Sequence, residues 1–149
     1  MTDWRKRFFD QALSKASWSK DKDTKVGCII VDDMKSEVAS GYNGPPRGIE
    51  DTEEKLSRPK KYLYMVHAEA NAIYQAARRG ISLEGCILYT TLFPCCTCAQ
   101  GIIQSGIKKV VTPHPNYNHP KYGIEWHTSH SLLLEAGIIV DFYNEEKDV

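Results

Sequence analysis

The chain has 149 residues, 42% hydrophobic and 26% charged, a composition that excludes a disordered or low-complexity protein. Nineteen lysines and arginines balance nineteen aspartates and glutamates, so the basic excess that marks most nucleic-acid partners is missing. No apolar run approaches the ~20 residues of a membrane span, and the N-terminus lacks a signal-peptide core, so a cytoplasmic protein with neither membrane nor nucleic acid as partner is expected.

Trp4, Phe8, Ala12, Leu13 and Ala16 recur at helical spacing and predict an amphipathic first helix. In KVGCIIVDD, Val26, Cys28 and Ile30 alternate as on a half-buried strand. EVASGYNG reads as a second strand at a turn, because Asn-Gly is a strong hairpin signal. Residues 45–61, PPRGIEDTEEKLSRPKK, are polar and proline-bearing and read as a long surface insertion, a type of loop that commonly carries function. The overlapping RPKKYLY, ending in Tyr62 and Tyr64, reads as an interface segment or a strand edge.

Beyond the insertion, helices and strands alternate. HAEANAIYQAARRG is alanine-rich with a glycine stop and predicts a helix. CILYTTL is a strand, CCTCAQGIIQSG a helix ending at Gly106, and KKVVT a strand. HTSHSLLLEAG is a helix ending at Gly137, and IIVDFY the last strand. This order predicts one α/β domain over residues 1–149, with helices packed on a mixed sheet.

Five cysteines, an odd number in a cytosolic chain, do not form a disulfide framework. Three fall in TLFPCCTC. Cys95 and Cys98 are three apart at a helix start, where i and i+3 side chains share a face, and Pro94 suits the entry to that helix. The helix N-terminus favours thiolate over thiol. Cys96 points elsewhere. Taken alone, the pair fits a redox couple, half of a structural zinc site or part of an open catalytic one.

A structural site needs four protein ligands, and the chain has no second Cys-x-x-Cys. Cys28 and Cys86 fall in predicted strands and are assigned to the core. His67, opening HAEANA, supplies a third ligand and leaves one tetrahedral position open for water. Glu69 is two residues from His67, off its helix face, but can stand beside that water as a base. His114, His119, His127 and His130 lack a cysteine partner and are assigned to the surface.

His-x-Glu followed by Pro-Cys-x-x-Cys is the signature of zinc nucleobase deaminases. From it outward the chain resembles the deoxycytidylate (dCMP) deaminases of the cytidine deaminase superfamily, through SKDKDTKVGCIIV, GYNGPPRG, HAEANAI, TLFPCCTC and LLLEAGI. The resemblance implies a cytidine-deaminase-like three-layer fold, a mixed five-stranded sheet with helices on both faces. It implies hydrolysis of dCMP to dUMP and ammonia, supplying dUMP for thymidylate synthesis. One Zn2+ per chain is expected on His67, Cys95 and Cys98, with Glu69 moving protons, because residues 44–66 hold no cysteine or histidine for a second.

The family pattern further implies Asn43 on the deoxyribose and the Ala68 backbone on the pyrimidine. The Ser19–Lys20 segment, Arg47 and Tyr122 are the candidates for the phosphate. A homohexamer is expected, activated by dCTP and inhibited by dTTP, with Mg2+ on the effector and Gly41, Tyr42, Gly44 and Arg47 forming the effector loop. Pro45, unusual in that loop, stiffens it. The competing readings are a zinc-stabilised binding module and a deaminase acting on a base in tRNA, on single-stranded DNA or on free guanine. The missing fourth ligand argues against the first, and the neutral charge against the polymer substrates.

Overall fold

The computed structural model describes residues 1–144. Five strands form the middle layer: β1 (Gly27–Val31), β2 (Glu37–Tyr42), β3 (Ile87–Thr90), β4 (Lys109–Thr112) and β5 (Ile139–Phe142). Their order is β2-β1-β3-β4-β5. β1 is antiparallel to β2 and β3, whereas β3, β4 and β5 run parallel. The parallel half follows from its connections, since α5 (Cys96–Gln104) and α6 (Gly123–Glu135) each return the chain to the same end of the sheet.

Helix α1 (Trp4–Ala16) covers one face. Phe8, Phe9 and Ala12 pack there with Ile29, Val31, Tyr89 and Val111. On the other face Ala68, Ala72 and Ala76 of α4 (Ala68–Arg79) meet Cys28, Ile30 and Leu88, beside Ala99 and Ile102 of α5 and Leu133 of α6. The architecture is the expected α/β three-layer fold, with a mixed five-stranded sheet between helices. Small residues on α4 let it approach closely. A Cβ on Gly41 would fall 2.5 Å from the Ala68 carbonyl oxygen, so β2 can cross the head of α4 only with glycine there.

Several local expectations are corrected. β1 is buried along its whole length rather than on alternate residues, because helices cover both faces of this central strand. Asn43-Gly44 is not the hairpin turn. The β1–β2 turn lies at Asp32–Ser36, where the Asp32 carboxylate accepts from the N–H groups of Met34 and Ser36, and Lys35 takes the left-handed position (φ 63°). Gly44 instead bridges to Val66.

The insertion is not a bare loop. It carries two short helices, α2 (Glu53–Leu56) and α3 (Lys61–Tyr64), anchored by buried Leu56 and Lys61. Helix α6 begins at Gly123, four residues before the expected start at His127. On α1, Phe9 is buried while Trp4 and Leu13 remain partly exposed. Cys28 and Cys86 are core residues as expected. Among the described residues no helix is long and apolar enough to cross a membrane.

Candidate active site

Two helix N-termini converge beneath a cavity of about 360 Å³. His67 is the N-cap residue of α4 and Cys95 that of α5. His67 Nδ1 lies 3.4 Å from Cys95 Sγ and 3.5 Å from Cys98 Sγ. Tetrahedral zinc with ordinary Zn–N and Zn–S bonds would separate such donors by about 3.5 Å. The donor set fits as well, two soft sulfurs and an imidazole being ligands suited to Zn2+. Among the described residues this is the one cluster of three such side chains.

The Cys98 thiol, His67 and the Cys98 backbone N–H hold the Cys95 thiol down to about 4, against the upward pull of burial. The Cys95 sulfur and burial push Cys98 the other way, and Cys95 also raises the His67 imidazole. Cys96 points away, as expected. Its N–H donates to Glu125 Oε1 (3.3 Å) and its thiol to the Glu125 carbonyl (3.4 Å). Ser129, also on α6, donates to the Pro94 carbonyl at 2.7 Å. Helix α6 therefore clamps the turn that carries both cysteine ligands.

Glu69 is 3% exposed at the head of α4 and lines the cavity. Burial pushes its carboxyl above the usual value, while the Thr90 hydroxyl and its own backbone N–H pull it down. Ala68, Leu92, Phe93 and Trp126 supply flat and apolar walls. Asn43 lines the same cavity, but both ends of its amide serve the backbone. Its Oδ1 accepts from Val26 N–H (2.8 Å) and its Nδ2 donates to the Thr24 carbonyl (2.9 Å). One hydrogen and one lone pair of that amide stay available for a ligand.

The phosphate candidates separate. Tyr122 lines the cavity mouth. Ser19 does not line it; the hydroxyl is buried and donates to the Asn43 carbonyl at 2.8 Å. Arg47 lies elsewhere, on a second cavity of about 550 Å³ that Gly41, Tyr42 and Gly44 also line. At the first mouth stand residues that sequence reasoning missed. Arg58 and Tyr62 line it, and Lys121 Nζ sits 5.1 and 5.0 Å from the Tyr62 and Tyr122 ring centres. Arg58 and Lys121 lie in polar stretches without periodicity, so nothing local marks them. Tyr62 stands out in the sequence only as part of RPKKYLY.

A metal-ligating His-Cys-Cys set with a buried carboxylate, at paired helix N-termini of a three-layer α/β fold, defines a zinc hydrolase of the deaminase class. The chain belongs to the family described as "Cytidine and deoxycytidylate deaminase zinc-binding region", whose model matches residues 2–113. An "Uncharacterized deaminase in luxG 3'region" of Aliivibrio fischeri is 41% identical over 138 residues, 92% of this chain and 91% of that one. Human deoxycytidylate deaminase is 39% identical over 124 residues, 78% of this chain and 67% of the human protein's length. The crystal structure of dCMP deaminase from the cyanophage S-TIM5, in complex with dCMP and dUMP, is similar with a TM-score of 0.74. Its identity is 29%, covering 93% of this chain and 96% of that one.

Proposed function

We propose that this chain, folded as a single domain over residues 1–149, hydrolyses dCMP to dUMP and ammonia. The observation that carries this reading is one cavity with the His67-Cys95-Cys98 donor set and Glu69 at its floor and Arg58 and Tyr122 at its mouth. The likeness to deaminases named for this substrate supports it. His67, Cys95 and Cys98 would hold a Zn2+ ion, which would supply the Lewis acidity that makes water a nucleophile near neutral pH. Glu69 accepts a proton from that water and delivers it to N3 of the base as oxygen adds to C4. Glu69 then carries the second proton to the amino group, the C4–N bond breaks, and ammonia and the C4 carbonyl result. The Ala68 backbone and Asn43 hold the pyrimidine and the deoxyribose, and Leu92, Phe93 and Trp126 exclude bulk water. Arg58, Lys121, Tyr62 and Tyr122 meet the 5′-phosphate, an assignment that replaces Ser19 and Arg47.

The test is loss of cytosine absorbance with dCMP, deoxycytidine and a cytosine-containing oligonucleotide as parallel substrates. Turnover of dCMP well above that of deoxycytidine, and none of the oligonucleotide, is expected. Turnover of the oligonucleotide, or silence with dCMP at full zinc loading, would overturn the reading.

The second cavity supports regulation by a nucleotide. Lys15, Arg47 and Arg78 line it beside Trp18, Tyr42 and Tyr74, cations for phosphates and rings for a base. We assign it to dCTP as activator and dTTP as inhibitor, with Mg2+ carried on the phosphates, in a homohexamer. Asn43, which lines the first cavity, sits between Tyr42 and Gly44, which line the second. Calorimetric titration with dCTP and Mg2+ should release heat, and R47A with R78A should abolish it. This reading has the protein act in the cytoplasm, supplying dUMP for thymidylate synthesis, without a nucleic-acid or membrane partner.

A further inference from the structure

We propose that Thr90 is a positioning residue for Glu69, holding one carboxylate oxygen so that the other faces the reacting centre. Thr90 is the last residue of β3, pairs with Cys28 across β1 and is completely buried. Its hydroxyl donates to Glu69 Oε1 at 2.6 Å, within the range of short hydrogen bonds to a charged oxygen. The bond joins residues 21 positions apart and ties the head of α4 to the centre of the sheet.

Three observations give this contact a role beyond filling space. The Thr90 hydroxyl, fixed in the sheet, fastens one carboxylate oxygen of Glu69 to β3, whereas the other contacts of that carboxyl come from its own backbone N–H and the Cys98 sulfur. The same hydroxyl also lies 3.1 Å from the Leu92 carbonyl, on the segment that leads through Pro94 to Cys95. A hydroxyl has one proton and two lone pairs, so Thr90 remains paired whether it donates to Glu69 or accepts from it and turns to Leu92. One side chain thereby sets the general base in register with the turn that carries the cysteine donors. Finally, Thr90 is completely buried, and valine keeps its β-branched shape while removing the hydroxyl.

The inference rests on the deaminase reading for its kinetic arm and stands on crystallography without it. T90V should keep one zinc per chain and a KM for dCMP within about 2-fold, and lose about 10- to 100-fold in kcat, the scale for a misplaced reacting group. T90S, which restores the hydroxyl but deletes a methyl, should recover most of kcat. Crystal structures should show the Glu69 carboxylate in more than one orientation in T90V, and in one orientation in T90S and the parent protein. A carboxylate that keeps its place in T90V would overturn the proposal. So would a kcat that stays at the parent value, or a T90S variant as impaired as T90V, which would leave Thr90 a packing residue. A parent protein inert toward dCMP would instead count against the deaminase reading, and the crystallographic comparison would still decide the role of Thr90.

Discussion

The ammonium of Lys61 lies 3.1 Å from Asp21 Oδ1, and both side chains are buried at the edge of the active-site cavity. Asp23 Oδ2 stands 2.8 Å from the same nitrogen. This pair fastens the insertion to the segment that precedes β1, and with it the helix carrying Tyr62 and the adjoining Arg58. Asp21 in turn accepts from the Asp23 and Thr24 N–H groups and takes part, through the Ser19 hydroxyl, in the network around Asn43.

Removal of Lys61 should therefore damage both stability and substrate binding. K61A leaves a buried carboxylate without its cation, and breaking such pairs costs about 3 kcal/mol. For a chain of this size that is a fall of roughly 6–12 °C in Tm. Calorimetry would check it, with a raised KM for dCMP as the kinetic counterpart. The pH dependence has a definite sign. Burial pulls the Lys61 pKa down, but the bonds to Asp23 and Asp21 outweigh it and leave the group above its ordinary 10.5. The stability it confers is present throughout neutral pH and is lost as pH rises through the raised value, a loss absent in K61A.

Replacing Glu69 by glutamine should leave zinc bound and abolish most turnover. The amide keeps the shape but cannot accept the proton, and general-base catalysis is worth about 10²- to 10⁴-fold. Metal analysis together with single-turnover kinetics would test it. Near-parent activity in E69Q would remove Glu69 from the mechanism.

The three cysteines of TLFPCCTC should behave unequally. C95S and C98S should each lose stoichiometric zinc and with it activity, whereas C96S should retain one zinc per chain, because Cys96 faces Glu125. Chelation of the parent protein should abolish activity, and added Zn2+ should restore it. Zinc stoichiometry by atomic absorption decides the matter, and loss of metal in C96S would contradict the ligand set.

Charge at the cavity mouth should select the phosphate. A charge-assisted hydrogen bond contributes about 1.5–3 kcal/mol. R58A and K121A should accordingly each raise KM for dCMP about 10- to 100-fold. The slower reaction of deoxycytidine should change little. An equal effect on both substrates would show that these residues maintain the fold of the mouth rather than bind phosphate.

The amino-acid sequence by itself determined the order of the main elements and the layered α/β class, and it singled out His67, Cys95, Cys98 and Glu69 as the candidate donors and base. Those features depend on local spacing: alternation along a strand, small residues along α4, Cys95 and Cys98 one helical turn apart, and His67 and Glu69 at a helix start. Distance along the chain hid the rest. That β1 lies inside the sheet, with both faces covered, depends on α1 and α4 arriving from opposite sides. Arg58 and Tyr122 line one cavity although 64 positions separate them, and neither stretch has a periodicity that points at the other. Asn43 reads as a turn residue until the backbone of Thr24 and Val26 closes on its amide. Thr90 is one more strand residue until Glu69 reaches it across the core. Side-chain periodicity records which face of an element is buried, but not which distant residue will stand opposite; only packing the layers together decided that.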